Sequence, residues 1–433
     1  MKHFAEIPEE VYGICRTLKD NGERAYVVGG AVRDLLAGRP GSDIDLATTA
    51  TPQKVTRLFR KVVPTGMKHG TVTILCEKGK YEITTLRGEG TYTDGRHPDQ
   101  VEFLNDINAD LARRDFTVNA MAWDPISEIL YDPFDGRVDL KNRIIRAVGE
   151  ATERFAEDGL RVLRAARFAA TLEFEVEEET LGAMPVAAPA LKGVSAERKR
   201  DEITRMLGAG NPSRGIILMK RAQLLPYLST DLADLAGRSE QAWQRTLNRV
   251  DALPARLHLR LAGLLLDTGD SETSSKKGPE RARIARAWLS DMRFEKKIVE
   301  SVSHLIAEYE FTGFPDWSAT EVRRFMRRVG RGPVFDLLEL KRCDLSLQTE
   351  SKEDLAALDR LAVQVRHTDK SGVPLSVKEL PVDGRELMGA LSLDPGPQVG
   401  RLLEALLEHV LSNPDENNKA RLLDVAKNLK DTI

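Results

Sequence analysis

Residues 27–46 read VVGGAVRDLLAGRPGSDIDL: an apolar run, two glycines, a short segment and two closely spaced aspartates. The pattern predicts a strand, a glycine turn, a helix over Ala31–Leu36 and a second strand carrying Asp43 and Asp45. Residues i and i+2 of a strand point to the same face, so the two carboxylates would lie side by side. Two negative charges so close together are costly unless a cation neutralises them.

The glycine turn formed by Gly29 and Gly30 adds a second element of the same chemistry. Glycine lets a backbone approach phosphate closely, and its N–H group can bind a phosphate oxygen. Each feature alone is weak evidence, because Gly-Gly is usually a simple turn and Asp-x-Asp is often a solvated loop. In this order they indicate metal-dependent phosphoryl or nucleotidyl transfer.

The chain of 433 residues is predicted to hold an α/β head followed by an all-helical remainder. Short β-type runs alternate with helical segments up to about residue 140, whereas from Lys141 onward strand signals are absent and amphipathic helical patterns dominate. Two such patterns are Glu153–Leu172 and Gly400–Leu411. The head is predicted to contain strands over Ala25–Val28, Thr71–Cys76, Tyr81–Thr85 and Val101–Phe103, and helices over Pro52–Phe59 and Asn108–Ala112.

The expected fold class is therefore α+β, with a small mixed sheet and helices in the head. A linker-like break at Gly208–Pro212 marks one boundary within the helical remainder. The predicted segments are a catalytic head (1–140), a neck (141–208), a body (209–310) and a tail (311–433).

The composition excludes several classes of protein. Hydrophobic residues make up 41% and charged residues 30% of the chain, as in ordinary globular domains rather than disordered or membrane proteins. No apolar run approaches the length of a membrane span, and the N-terminus lacks the apolar core of a signal peptide. Cys15, Cys76 and Cys343 do not have the spacing of metal ligands. We therefore expect a reducing, cytoplasmic location without a structural zinc.

Basic residues are clustered although the net charge is only −3. The segments 154–167, 197–205 (ERKRDEITR) and 323–331 (RRFMRRVGR) are rich in arginine. Taken singly, such a segment is usually a solvated helix face with i,i+4 ion pairs. Together, the three are compatible with local binding of a nucleic-acid phosphate backbone.

These features resemble the polymerase-β-like nucleotidyltransferases, and within them the class II tRNA nucleotidyltransferase and bacterial poly(A) polymerase family. The resemblance follows the whole chain in order and is strongest over residues 25–230. Residues 81–87 (YEITTLR) resemble the family's central strand, which implies that Glu82 is a third carboxylate of the catalytic site. The alternative is an exposed glutamate on a strand.

Residues 111–122 (LARRDFTVNAMA) resemble the family's RRDFT-x-N-A block. The resemblance implies that Arg114, with Arg113 as the near alternative, faces the triphosphate or the primer end. A basic helix cap would give the same local pattern.

Residues 157–161 (EDGLR) resemble the family's EDxLR motif. Asp158 and Arg161 would be neighbours on one helix face, and a carboxylate with a guanidinium can hydrogen-bond the Watson–Crick edge of a base. The resemblance implies that this pair selects CTP and then ATP without a nucleic-acid template, while Arg164 and Arg167 bind phosphates. An ordinary i,i+3 salt bridge is the alternative. Gly159 is a departure, because glycine inside a helix costs about 1 kcal/mol relative to alanine.

Three further segments distinguish members of the family. Residues 62–73 (VVPTGMKHGTVT) resemble the CCA-adding pattern and lack the signature of the poly(A) polymerases, and residues 88–100 resemble a flexible loop that CC-adding relatives shorten. Residues 257–270 resemble a phosphohydrolase domain in which Leu266-Asp267 replaces the His-Asp doublet. A second hydrolase centre is therefore not expected, and His258, His304 and His409 are predicted to be ordinary surface or core histidines.

The resemblance thus implies an enzyme that builds or repairs the 3′-terminal CCA of tRNA from CTP and ATP and releases pyrophosphate. Asp43 and Asp45 would hold two Mg²⁺ ions, and Gly29, Gly30 and Arg33 would bind the triphosphate. The helical remainder would bind the acceptor arm of tRNA by shape and phosphate contacts. The alternatives are an A-adding or CC-adding enzyme, a poly(A) polymerase and, from a different class, a non-catalytic RNA-binding protein.

Overall fold

The computed structural model describes residues 4, 7–39, 44–67, 70–87, 105–269, 277–312, 314, 317–348 and 352–430. The chain forms two compact units, Met1–Asp234 and Leu235–Ile433. The predicted strand Val101–Phe103 and the loop 88–100 lie outside the described residues.

The first unit contains a seven-stranded mixed sheet with strand order β3-β4-β5-β2-β1-β6-β7. Among its described pairings, only β2 and β5 run parallel, with Leu46 opposite Ile83. The predicted strands over 25–28, 71–76 and 81–85 are confirmed to within one residue. The strands are β1 (Ala25–Val28), β2 (Asp45–Thr48), β3 (Val62–Gly66), β4 (Thr71–Leu75), β5 (Lys80–Thr85), β6 (Ala122–Asp124) and β7 (Ile129–Tyr131).

Apolar clusters cover both faces of this sheet, which is why β1 is apolar at every position. Val27 of β1 packs with Leu46 and Ile83 in the cluster on one face. Tyr26 and Val28 point the other way and join the cluster on the opposite face. The helices of this region are α1 (Glu9–Asp20), α2 (Gly30–Leu36), α3 (Pro52–Leu58), α4 (Ile107–Ala112) and α5 (Gly136–Asn142).

Two short strands follow the head, contrary to the expectation that strands end at Lys141. The strands β8 (Ile144–Ile145) and β9 (Glu175–Val176) form a separate parallel pair. Each has only two residues, which is too few for an alternating pattern to be recognised in the sequence.

The predicted helix over Glu153–Leu172 is interrupted, so that prediction is wrong in its middle. Asp158 has an extended backbone (φ −146°, ψ 101°) between two helices. A Cβ atom on Gly159 would lie 2.8 Å from the carbonyl carbon of Ala190, so glycine is required by a close approach. Since Gly159 precedes the helix, it carries no helix-interior cost. The helices here are α6 (Ala151–Glu157), α7 (Leu160–Thr171), α8 (Glu178–Ala187), α9 (Ala196–Leu207) and α10 (Ser213–Arg221).

In the part that the structure describes, all regular secondary structure after α10 is helical. The fold class is therefore confirmed, whereas the division into head, neck, body and tail stays a prediction. No helix among the described residues combines the length and the apolar content that a bilayer crossing requires. These helices are α11 (Thr230–Arg238), α12 (Glu240–Ala252), α13 (Leu257–Leu265), α14 (Lys277–Asp291), α15 (Lys296–Glu308), α16 (Ala319–Val329), α17 (Pro333–Ser346), α18 (Lys352–Ser371), α19 (Gly384–Leu391), α20 (Pro397–Ser412) and α21 (Lys419–Leu429).

Candidate active site

A cavity of about 620 Å³ in the first unit brings together the site residues predicted from the sequence. Its lining includes Gly29, Gly30, Arg33, Asp45, Glu82, Arg114, Asp158, Arg161, Arg164 and Arg167. Arginines outnumber carboxylates in this lining, which favours a polyanionic ligand. Additional arginines in the lining are Arg87, Arg113, Arg198 and Arg205, and additional carboxylates are Asp34, Asp110 and Asp115.

Two carboxylates enter the cavity from adjacent parallel strands. Asp45 begins β2, and Glu82 lies one residue before Ile83, the partner of Leu46. The two residues therefore occupy neighbouring positions on the same face of the sheet, and both are exposed. Carboxylate oxygens are the ligands that Mg²⁺ prefers in proteins.

Asp43, the other predicted metal ligand, lies outside the described residues. Among the residues that the structure describes, no group of three or more histidine, cysteine or acidic side chains is placed to hold a metal ion. The pairing of Asp43 with Asp45 stays a prediction.

The glycine turn at the start of α2 gives the cavity its tightest backbone approach. Gly29 has φ +70°, a conformation that favours glycine. A Cβ atom there would lie 2.8 Å from Nη1 of Arg114. One turn into α2, Arg33 is held by Asp34 at 2.9 and 3.0 Å and donates to Oδ1 of Asn119 at 2.7 Å. Arg33 and Arg114 are therefore both packed close to the glycine turn at the wall of the cavity.

Asp110 organises the two arginines of the RRDFT block. Arg113 donates both Nε and Nη2 to one Asp110 oxygen, at 3.0 and 2.6 Å, and Arg114 donates Nη2 to the other at 3.1 Å. Burial alone would raise the pKa of Asp110, but the charges of the two arginines outweigh it and lower that pKa. The Nε of Arg114 is buried and has no partner among the described residues. Arg114 thus uses only Nη2 on Asp110 among the described residues.

Asp115 joins the RRDFT block to α7. Its carboxylate lies 2.6 Å from Nη2 of Arg164 and accepts hydrogen bonds from the Asn119 side chain and the Phe116 N–H. Burial acts to raise the pKa of Asp115, but the Arg164 charge and these hydrogen bonds lower it to about 2. The carboxylate is therefore ionised at neutral pH and fixes the Arg164 guanidinium.

The face of α7 toward the cavity carries arginines at positions i, i+3 and i+6. The buried Glu202 of α9 contacts two of them, with distances of 3.5 Å to Arg164 and 2.5 Å to Arg167. The guanidinium of Arg167 also lies 3.8 Å from the centre of the Phe168 ring. Cation–π contact and ion pairs together hold this row of like charges in place.

Asp158 and Arg161 line the same cavity, and their side chains do not contact each other; the Arg161 N–H donates to the Asp158 carbonyl at 3.0 Å. One oxygen of Asp158 accepts from Nη2 of Arg198 at 2.6 Å, and the other accepts from the Leu160 N–H at 3.0 Å. The expectation that they share one helix face is wrong, because Asp158 lies in the extended break before α7. The alternative of a simple i,i+3 salt bridge is also absent from the contacts of these two residues.

Arg161 has its own set of acceptors. Its Nη1 donates to Glu157 at 2.6 Å and to the Arg154 carbonyl at 2.7 Å, and its Nη2 donates to the Arg113 carbonyl at 2.9 Å. Glu157, the first residue of the EDGLR motif, therefore anchors the last one.

Sequence reasoning did not identify Asp110, Asp115, Arg198 or Glu202 as parts of the site. A signal for two of them was present in ERKRDEITR, where Arg198, Glu202 and Arg205 are spaced i, i+4 and i+7 and so share one face of α9.

In the second unit, Asp267 is part of a buried ion network. It lies 3.0 Å from Nη1 of the fully buried Arg249, which also contacts Asp344 at 2.8 Å. Tyr309 donates its hydroxyl to Asp344 at 2.7 Å. Asp267 is therefore held in a buried network of ion pairs and hydrogen bonds. The three histidines also have ordinary partners: Asp336 for His258, the Val329 carbonyl for His304 and Glu416 for His409.

Four of the five arginines of 323–331 contact acidic residues of other helices, a pattern different from the i,i+4 pairs expected for a solvated face, and Arg323 donates to the Leu411 carbonyl. Arg324 contacts Glu408, and Arg328 contacts Glu308 at 2.8 Å. Arg331 contacts Asp369 at 2.9 Å. This face is thus largely neutralised within the second unit.

Comparison with known proteins places this geometry in a family. Family models match residues 25–146 ("Poly A polymerase head domain"), 173–235 ("Probable RNA and SrmB- binding site of polymerase A") and 280–426 ("tRNA nucleotidyltransferase domain 2"). The chain is 33% identical to the CCA-adding enzyme of Lactococcus lactis subsp. cremoris, over 98% of each chain. It is 34% identical to the CCA-adding enzyme of Enterococcus faecalis, over 97% of this chain and 95% of that one.

A solved relative has the same fold over the full length. The crystal structure of Bacillus stearothermophilus CCA-adding enzyme in complex with CTP matches with a TM-score of 0.81 and 30% identity, covering 100% of this chain and 98% of that one. The resemblance inferred from the sequence motifs is confirmed. The protein belongs to the tRNA nucleotidyltransferases, in the family of the CCA-adding enzymes.

Proposed function

We propose that this enzyme builds and repairs the 3′-terminal CCA of tRNA from CTP and ATP, with release of pyrophosphate, and that the cavity described above is its active site. The main support for this proposal is that Asp45 and Glu82 line the same cavity as nine arginines. The chain is also similar over nearly its whole length to a CCA-adding enzyme. We also propose that it works in the cytoplasm.

Nucleotidyltransferases of this family are metal-dependent. We propose Mg²⁺ as the metal and Asp43, Asp45 and Glu82 as the carboxylates that hold it. The donor set fits, since both described carboxylates are exposed to the cavity from adjacent strands. When bound, Mg²⁺ supplies activation of the primer hydroxyl and neutralisation of the leaving pyrophosphate.

Gly29, Gly30, Arg33 and Arg114 are proposed to bind the triphosphate. The absence of a side chain at Gly29 lets the Arg114 guanidinium lie against the glycine turn, so that backbone N–H groups and an arginine are placed together in the cavity. Arg113 uses Nε and Nη2 on Asp110, so Arg114 is the better candidate of the two. Arg164 and Arg167, held by Asp115 and Glu202, would bind further phosphate oxygens.

Asp158 and Arg161 are proposed to read the base. Asp158 offers an acceptor and Arg161 offers donors, which together match the Watson–Crick edge of cytosine or adenine. Their separate anchors support this role, because a direct pair would occupy the groups that must face the base. The helical segments after the neck are proposed to bind the acceptor arm of tRNA.

The experiment that tests the function uses tRNA ending before CCA, after C and after CC, with CTP and ATP offered separately and Mg²⁺ present. A CCA-adding enzyme incorporates CTP into the first two substrates and ATP only after CC. Incorporation of ATP alone, only after CC, would identify an A-adding enzyme, and repeated ATP addition would identify a poly(A) polymerase.

The metal site is tested by Asp45→Ala. We expect loss of both CTP and ATP incorporation with tRNA binding largely retained, because the proposed RNA contacts lie mostly in the helical segments. Normal turnover by this variant would refute the assignment of Asp45.

A further inference from the structure

We infer that Arg198 is a positioning residue for nucleotide selection, which acts by holding the carboxylate of Asp158 in the orientation that reads the base. The inference rests on the proposed base-reading role of Asp158 and adds a residue that the sequence motifs do not include.

The backbone leaves Asp158 in need of such a partner. Asp158 is extended and lies between α6 and α7, so it is not fixed by helical hydrogen bonding on both sides. Among the described residues, its carboxylate accepts two hydrogen bonds: from the Leu160 N–H at 3.0 Å and from Nη2 of Arg198 at 2.6 Å. The second is a short, charge-assisted hydrogen bond and is the stronger of the two. Removing Arg198 would leave one neutral contact and free the χ angles of Asp158.

Arg198 lies on α9, a helix whose position is fixed by its contacts. Ser195 caps the start of α9, and α9 packs against α7. One turn beyond Arg198, the buried Glu202 contacts Arg164 and Arg167 of α7. The position of the Arg198 guanidinium is therefore fixed relative to the helix that carries Arg161.

Asp158 and Arg161, the two residues proposed to read the base, are held by different partners. Arg161 is bound by Glu157 and by two backbone carbonyls, and Asp158 is bound by Arg198. A released Asp158 carboxylate could pair with another arginine of the cavity, since the charge of Asp158 already acts on Arg164. Such a pair would occupy the acceptor meant for the base. Arg198 thus keeps Asp158 available to the base.

A positioning role makes a specific prediction about selectivity. Arg198→Ala should relax the preference for CTP and ATP over UTP and GTP by about as much as Asp158→Ala does, roughly ten- to a hundredfold. Arg198→Lys should restore part of the preference, since an ammonium can still donate to one carboxylate oxygen. The matched control is Arg200→Ala, which removes an arginine of the same helix whose partner is the exposed Asp201.

The decisive measurement is a double-mutant cycle on kcat/KM for all four nucleotides, with the wild type, Arg198→Ala, Asp158→Ala and the double variant. If Arg198 acts through Asp158, the double variant has the selectivity of Asp158→Ala alone. A uniform loss of kcat/KM for all four nucleotides, or selectivity effects that multiply in the double variant, would overturn the inference, because Arg198 would then act on the substrate independently.

The cycle also separates this inference from the proposed function. If Asp158→Ala leaves selectivity unchanged, the base-reading role itself is wrong, and the positioning role is refuted with it. If Asp158→Ala relaxes selectivity and Arg198→Ala does not, only the role of Arg198 is refuted. Thermal unfolding of each variant checks folding, and Arg198→Gln replaces Arg198→Ala in the cycle if the alanine variant does not fold.

Discussion

Individual arginines of the active-site cavity are fixed by buried acids before any substrate binds. Asp115 holds Arg164, and Asp110 holds Arg113 and Arg114. Such preorganisation lowers the cost of binding a triphosphate, because these long side chains do not have to be ordered at that moment. The acids also offset the mutual repulsion of the arginines.

The pKa of Asp115 predicts how its contribution to stability depends on pH. The folded-state pKa is about 2, below its ordinary value of 3.8, so the stabilisation is fully present above pH 3.8 and is lost as the pH falls toward 2. Asp115→Asn should lower the free energy of unfolding by about 2 kcal/mol near neutral pH, with a smaller difference from the wild type near pH 3. Urea unfolding of both proteins at several pH values measures this difference. A gap that stays constant down to pH 3 would contradict the depressed pKa.

A methyl group at Gly29 should disturb catalysis more than folding. Gly29→Ala places a Cβ atom 2.8 Å from Nη1 of Arg114, so the proposed triphosphate ligand must move. Gly38→Ala is the matched control, because Gly38 also has positive φ (+69°) but has no atom within 4 Å of its Cβ position. Both variants should lose about 1–2 kcal/mol of stability from backbone strain.

The two variants are distinguished by kinetics. Only Gly29→Ala should reduce kcat/KM for CTP and ATP. We expect a loss of roughly a hundredfold, because the Arg114 guanidinium would be displaced by about 1 Å. Equal activity of the two variants would show that Arg114 is not used in catalysis.

At the scale of elements, the packing of α9 against α7 fixes the arginine row of the cavity. Glu202 connects the two helices and is only 4% exposed. It contacts both Arg164 and Arg167, so its removal would leave two partly buried positive charges facing each other. The face of α9 that carries Arg198, Glu202 and Arg205 is thus a structural part of the active site.

Glu202→Gln should therefore be strongly destabilising. We expect a loss of about 3 kcal/mol in the free energy of unfolding, as is usual when one partner of a buried ion pair is removed. The control is Glu175→Gln, which breaks the exposed pair of Glu175 with Arg214 and should change stability by less than about 1 kcal/mol. Denaturant titration measures both values. Similar losses in the two variants would show that Glu202 does not hold the arginine row.

The strands of the head and the break between α6 and α7 show which elements could be predicted from the sequence and which could not. Strands β1, β4 and β5 were predictable because their apolar patterns are local. The break between α6 and α7 was not, because the apolar periodicity runs through it and the reason for Gly159 is its contact with Ala190, far away in the sequence. The sequence motifs correctly predicted that their described residues lie close together, since these residues line one cavity. The roles of these residues stay predictions. Asp115 was missed because its importance arises from packing against α7, and Glu202 was missed although its spacing from Arg198 and Arg205 indicated a common face of α9.

At the scale of the whole molecule, the distribution of charge matters more than the net value of −3. The cavity of the first unit has more arginines than carboxylates and includes Arg205, whose side chain has no ion pair among the described residues, whereas four of the five arginines of 323–331 are bound to acids of the second unit. An arginine already paired with a carboxylate gains less from an RNA phosphate than one that has no such partner. Clusters of arginine in the sequence are therefore not equivalent as RNA-binding sites.

Binding of tRNA should consequently weaken with salt, and the arginine clusters should contribute unequally to this dependence. Each phosphate contact that releases counterions adds about 0.7–0.9 to the slope of log K against log salt concentration. Arg205 is exposed and lines the cavity, and its side chain has no hydrogen bond or ion pair among the described residues. We expect Arg205→Gln to reduce the magnitude of this slope by about 0.7–0.9, which is the contribution of one phosphate contact.

The comparison variant is Arg324→Gln, whose arginine is bound to Glu408. It should leave the salt slope almost unchanged, since that arginine releases few counterions. Filter binding or fluorescence anisotropy with tRNA over a range of salt concentrations gives both slopes. A larger change in slope for Arg324→Gln than for Arg205→Gln would show that the α16 face binds the RNA backbone despite its ion pairs. If neither variant changes the slope, the phosphate contacts are made by other residues, and the first ones to test are the remaining arginines of the cavity.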